Sequence, residues 1–203
     1  MTEITIADSR FAPIPGVKQT AKDFLYLVLG LPLGIVSSTF AVTMLSLSAG
    51  LAITFVGIPL LVLTLVAARW FARIERARAV LVIDDPVAAD APLEGDAIER
   101  AKALFKDRAA WTGTLWSLLL LPIGTFGFTV AVTLWSTALG FLTSPLWYWA
   151  MPNDDETIPL LDSTSVGYSI LRVLIGLALL PTTMVACRAL AAGSGRAARA
   201  ILG

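Results

Sequence analysis

FLYLVLGLPLGIVSSTFAVTMLSLSAGLAITFVGIPLLVLTLVAA, residues 24–68, runs for 45 residues without a charge. One crossing of a bilayer needs about 20 apolar residues at 1.5 Å of rise each. The run therefore holds two crossings rather than one. Ser46-Leu47-Ser48-Ala49-Gly50 is its only local concentration of small and polar residues. The expectation is a helical hairpin, with a first span near 24–47, a tight turn at 46–50, and a second span near 51–71.

A second charge-free run, residues 109–153, is equally long at 45 residues. It predicts a third span near 112–139, followed by Pro145-Leu146-Trp147-Tyr148-Trp149 lying along the interface. Trp and Tyr favour the headgroup level because their rings are apolar with a polar edge. A polar loop at 151–167 leads to a fourth span near 168–190, which carries Arg172 close to its start. The fold class expected is an all-α polytopic membrane protein of four transmembrane helices with short interfacial amphipathic helices.

Composition agrees with this reading. Of 203 residues, 57% are hydrophobic and 15% charged, and mean hydropathy is +0.79. A soluble chain carries roughly 25% charged residues. Basic and acidic residues number 15 each, so net charge points to no nucleic-acid partner. Histidine is absent and Cys187 is the one cysteine. That removes the commonest general base and metal ligand, the His-dependent nucleophilic triads and any intramolecular disulfide. No Gly-rich phosphate loop, zinc spacing or nucleophile elbow is present, so no catalytic residue, cofactor or metal is expected. MTEITIADSR (1–10) is not apolar and does not read as a secretory signal peptide.

Fourteen of the 15 basic residues fall before span one, between spans two and three, or after span four; Arg172 is the exception. The positive-inside rule places both termini and the central segment in the cytoplasm, with the chain in the plasma (inner) membrane. An internal repeat at an offset of 90 matches Leu31-Pro32-Leu33-Gly34 to Leu121-Pro122-Ile123-Gly124, and Thr39, Ala41-Val42-Thr43, Ser46 and Gly50 to Thr129, Ala131-Val132-Thr133, Ser136 and Gly140. At a different offset, Thr64, Val66-Ala67 and Arg69 match Thr183, Val185-Ala186 and Arg188. The expected organisation is one membrane domain, 1–203, with repeat one at about 18–80, a cytoplasmic linker at about 81–106 and repeat two at about 107–203. Two crossings per unit make the repeats parallel, about an axis along the membrane normal.

In the linker, Asp96-Ala-Ile-Glu99 has capping-box spacing. It predicts a short amphipathic helix with Ile98, Ala101, Leu104 and Phe105 on one side. VLVIDDPVAADAP before it reads as a short extended piece and a turn-rich linker.

Leu31–Gly34, Val-Gly-Ile-Pro-Leu-Leu-Val-Leu-Thr-Leu (56–65) and Ala-Arg-Trp-Phe-Ala-Arg-Ile-Glu-Arg (68–76) together resemble the putative sensor domain at the N-terminus of many actinobacterial histidine kinases. Asp107, Trp111, Pro122 and Pro-Leu-Trp-Tyr-Trp (145–149) extend the likeness from about residue 22 to the end. The resemblance implies a four-helix membrane input module for two-component signalling. This chain has no phosphoacceptor histidine and stops where a kinase would start. The expected function is thus a non-catalytic sensor or accessory module relaying an envelope or bilayer signal to a separate partner. The alternatives are a small transporter or permease subunit and a structural, lipid-organising protein. Partners in view are the bilayer, a histidine kinase, a regulator or a transporter protein, and a second copy.

Candidate sites follow. Arg69, Arg73 and Arg76 recur at i, i+4, i+7 and, with Arg188, Arg196 and Arg199, form a basic face for a partner or anionic lipid. Asp154, Asp155 and Glu156, with Trp147, Trp149 and Arg172, are candidates for ligand binding; a solvated loop and an interfacial aromatic belt are the plainer readings. Arg172 is expected either to pair with a loop carboxylate (Asp154, Asp155, Glu156 or Asp162) or to snorkel to lipid. Gly30, Gly34, Ser37 or Ser38 and Ala41, with Gly124, Gly127 and Ala131, predict a close helix contact between the repeats. Thr39, Thr43, Thr129 and Thr133 could line a polar path or bond to their own backbone. Paired prolines 32 and 122 could be a hinge or mere packing. No paired ionisable groups are expected near the membrane midplane, which argues against transport.

Overall fold

The computed structural model describes residues 16–83, 95–147 and 166–203. These form α1 (Val17–Gly50), a single 3-10 turn (Ala52–Thr54), α2 (Gly57–Ala79), α3 (Ala97–Lys106), α4 (Arg108–Trp147) and α5 (Val166–Leu202). The described residues contain no strand. Four helices, α1, α2, α4 and α5, are long and apolar enough to cross a membrane. The expected all-α, four-span class is therefore met.

The spans are longer than the charge-free runs suggest. α1 and α4 contain 34 and 40 residues, about 51 and 60 Å at the helical rise, so both exceed a bilayer core of about 30 Å. Pro32, Pro122, Pro145 and Pro181 all lie inside helices. α4 runs on through Pro145 to Trp147 rather than turning along the interface, while Tyr148 and Trp149 lie outside the described residues. The basic end of the chain is helical too, as the last turns of α5.

The first turn lies one helical turn later than Ser46–Gly50. Ser and Ala do not break a helix, so α1 continues through Gly50. The reversal comes where Phe55 adopts a left-handed φ of 60°. Gly57 then lets α2 approach the Ser48 carbonyl, a place where any Cβ would collide.

The sense of the two hairpins differs from expectation. Gly34 packs on Leu120, Gly30 on Gly124, and Leu27 on Gly127, so positions fall along α4 as they rise along α1. α1 and α4 are antiparallel. Consequently α4 runs with α2, as Ala68 and Ala72 against Gly113 and Ala79 near Leu120 show. α5 folds back along α4 through Gly176 on Leu142 and Cys187 near Ala131, and so runs with α1. The parallel arrangement about an axis along the normal, with the start of α1 and the end of α5 at one end, is not what packs. The physical reason is that a ladder of small residues is direction-blind. Gly30, Gly34, Ser37, Ser38 and Ala41 on α1 and Gly124, Gly127 and Ala131 on α4 are all buried. They permit close approach read in either sense. The contact is also reciprocal: shifted by 90 residues, the pair Gly34·Leu120 becomes Gly124·Gly30.

α3 serves the return from α2 to α4. Leu104 is buried with Leu65 of α2 and Ala110 of α4, while Ile98 is 66% exposed, so the four apolar residues predicted on one side do not share a buried face. The capping box forms in part, since the Asp96 backbone N–H donates to Glu99 Oε2 at 3.3 Å. Residues 80–83 are hydrogen-bonded turns, not an extended piece: Leu81, Val82 and Ile83 donate back to Arg78 and Ala79 carbonyls.

Candidate functional site

Antiparallel packing brings the charged ends of the apolar runs together at mid-bundle, where they form a buried polar waist. Its centre is one triad. Tyr26 Oη donates to Glu75 Oε1 at 3.0 Å. Arg78 Nη2 lies 2.8 Å from Glu75 Oε1 and 2.7 Å from Oε2. The guanidinium also sits 4.5 Å from the centre of the Tyr26 ring, a cation–π stack that desolvation strengthens. Glu75 and Arg78 are on one face because they are three residues apart on α2. Tyr26 reaches them from α1.

Two further pairs join the hairpins. Arg188 of α5 donates from Nη1 to Asp23 Oδ1 at 3.1 Å and to the Val82 carbonyl at 3.0 Å. Gln19 adds a 2.8 Å bond to the same Asp23 oxygen, and Asp23 itself is fully buried. Arg69 of α2 meets Asp107 at 2.8 Å. Asp107 uses its other oxygen to accept from the Ala109 N–H at 3.1 Å, which caps the start of α4. Arg76 Nη2 donates to the Leu202 carbonyl at 3.0 Å, satisfying an orphan acceptor at the end of α5.

The expected basic face is thereby split. Arg69, Arg76 and Arg188 turn inward to these partners, while Arg73, Arg196 and Arg199 are exposed. Periodicity could not separate them, because it reports which face a residue is on and not what covers that face. Asp23, Tyr26, Glu75 and Asp107, which complete the waist, were not singled out as site residues. One signal was available: Glu75 is the only acid among Arg69, Arg73, Arg76 and Arg78. An acid kept among cations on an apolar-flanked helix points to internal pairing. Paired ionisable groups thus lie inside the bundle, as Glu75 with Arg78, Asp23 with Arg188 and Asp107 with Arg69.

Of the proposed ligand set, Asp154, Asp155, Glu156 and Trp149 lie outside the described residues, as does Asp162. Trp147 is the last residue of α4, with Nε1 donating to Thr143 Oγ1 at 3.3 Å. Arg172 is 1% exposed, and its Nε donates to the Tyr168 carbonyl at 3.2 Å. Its side chain is packed inside the described structure. Thr39, Thr43, Thr129 and Thr133 are all exposed on the outside of the bundle and line no internal path. Among the described residues, no group of three His, Cys, Asp or Glu side chains is placed to hold a metal ion.

Residues 26–202 match the family described as "Putative sensor". The chain belongs to this family. The match takes in α1 from Tyr26 onward, all of α2 and α4, and α5 to Leu202, and with them the Tyr26–Glu75–Arg78 triad but not Gln19 or Asp23. No curated protein and no solved structure matches the chain.

Proposed function

We propose that the chain is a non-catalytic, multi-pass sensor module of the plasma (inner) membrane, which relays an envelope or bilayer signal to a separate protein partner through the position of α5. The observation that carries this reading is how α5 is held. One helix of 37 residues, about 55 Å long, is tied to hairpin one by Arg188–Asp23 and by Arg76 to the Leu202 carbonyl. Against α4 it packs through Gly176 on the Leu142 backbone and Cys187 near Ala131. Ion pairs inside a bundle are discrete: they are made or exchanged, and they do not stretch. A signal that favours one position of α5 over another then acts on a two-state element, and the exposed Arg196 and Arg199 move with it to a partner such as a kinase or regulator.

Membership of the sensor family supports the reading, and so does the placing of the four threonines on the outer surface, which favours sensing over a permease path. The test uses spin labels at Arg73→Cys and Arg196→Cys in a Cys187→Ala background, in lipid nanodiscs. The inter-label distance should shift by several ångström between thin and thick, or neutral and anionic, bilayers. Asp23→Asn should produce the displaced distribution without any change of lipid. A single distance in all bilayers and in the variant would sink the relay.

A further inference from the structure

All four long helices contribute to the wall of one small cavity of about 10 Å³. Gly30 comes from α1, Arg78 from α2, Trp116 from α4 and Ser194 from α5. Position 30 leaves room because it is glycine: a Cβ there would lie 3.5 Å from Arg78 Nη1. Two lining side chains bring N–H donors that the protein does not answer. Arg78 is 8% exposed and Trp116 2%, yet Arg78 Nη1 and Trp116 Nε1 have no acceptor among the described residues. The ion pair with Glu75 runs through Nη2, at 2.7–2.8 Å, and so leaves Nη1 over. Ser194 Oγ donates to the Leu190 carbonyl at 2.8 Å, which keeps its lone pairs for an incoming donor. A buried donor without an acceptor is costly, and hydrocarbon around a bundle offers none.

We infer that this cavity is a binding site for one water molecule, which accepts from Arg78 Nη1 and Trp116 Nε1 and donates to Ser194 Oγ. The size agrees, since a cavity needs about 10–15 Å³ to hold one water. So does the chemistry: an internal water commonly makes about three hydrogen bonds. An apolar occupant would answer neither donor. A halide would take both, but it cannot donate to Ser194, and Glu75 already neutralises Arg78. The water joins α2, α4 and α5 at one point and so links the two hairpins independently of Arg188 and Asp23. It follows from the cavity and its donors, and it holds whether or not α5 moves.

The experiment is NMR on the full chain in small lipid nanodiscs, with tryptophan labelled with nitrogen-15 and the Trp116 indole assigned by its loss in Trp116→Phe. A rotating-frame NOE, whose sign separates a bound water from proton exchange, should connect the Trp116 indole N–H to water. Gly30→Ala puts a methyl group into the cavity, 3.4 Å from Gly124 Cα, an ordinary contact that needs no helix to move. It should abolish the water signal while a disulfide between Leu27→Cys and Gly127→Cys, with Cys187→Ala, still forms. Ser194→Ala removes the acceptor and should weaken the signal. No water signal in the native chain overturns the proposal, as does an undiminished signal in Gly30→Ala with the disulfide retained. If Gly30→Ala fails that fold check, Ser194→Ala decides, and an undiminished signal there overturns the bridge. An indole resonance that moves with chloride concentration would assign the site to an anion and overturn the water.

Discussion

The two hairpins use the same residue types and hold themselves together differently. Hairpin one, α1 with α2, is closed by polar chemistry: Tyr26, Glu75 and Arg78 bond across it at 2.7–3.0 Å. Hairpin two, α4 with α5, closes through small residues, with Gly176 against the Leu142 backbone and Ala131, Ala138, Cys187 and Ala191 all buried. Hairpin one pairs its own central charges. In hairpin two, among the described residues, Arg188 finds its acid in Asp23 of hairpin one. In lipid the hydrophobic effect does not drive helices together, so close packing and internal hydrogen bonds must. The chain uses one device in each half, and Arg188 of hairpin two depends on an acid of hairpin one. That dependence is the basis on which we propose α5 as the relay element.

The comparison breaks most completely if the sense of packing is wrong. In a Cys187→Ala background, Leu27→Cys with Gly127→Cys should form a disulfide, because the Leu27 side chain packs directly on Gly127. Leu27→Cys with Ser117→Cys, the pair that the 90-residue offset would align in a parallel arrangement, should not. The same packing puts Val17 and Trp147 at one end, so Lys18→Cys and Thr164→Cys should react with an impermeant thiol reagent from the same face. Opposite reactivity would restore the side-by-side arrangement that the distribution of basic residues favours.

Glu75→Ala comes next in size. It leaves the Arg78 charge buried without its partner, a loss of about 3–5 kcal/mol. Arg188→Ala should cost less, about 1–3 kcal/mol, since Gln19 still bonds Asp23 at 2.8 Å. Reversible unfolding in mixed micelles measures both. Equal losses would mean that hairpin one depends on hairpin two as much as the reverse.

Glycines give the smallest and most local contrast. Gly124→Val pushes a branched side chain into the Gly30 carbonyl and should destabilise by about 1–3 kcal/mol. Gly140→Ala meets nothing within 4 Å and should stabilise α4 by up to about 1 kcal/mol, the difference in helix propensity. A melting midpoint for each variant ranks them, and a harmless Gly124→Val would remove the close crossing from the account.

Much of this molecule was written in local pattern. Two charge-free runs of 45 residues require four apolar helices, because lipid leaves a backbone no partner but itself. The small residues on α1 and α4 marked the faces that meet, and Asp96 with Glu99 marked the start of α3. These are one-dimensional signals, set by spacing and residue type. The tertiary structure alone decided the direction in which the hairpins cross, since Gly, Ser and Ala fit a neighbouring backbone equally well from either end. It also decided which arginines face inward. Arg69, Arg73 and Arg76 lie on one helical stripe, yet Arg69 and Arg76 are buried and Arg73 is exposed, because Asp107 and the Leu202 carbonyl arrive beside two of them from segments 38 and 126 residues away. A buried charge is stable only opposite a partner, and what stands opposite is a property of the packed chain rather than of any stretch of it.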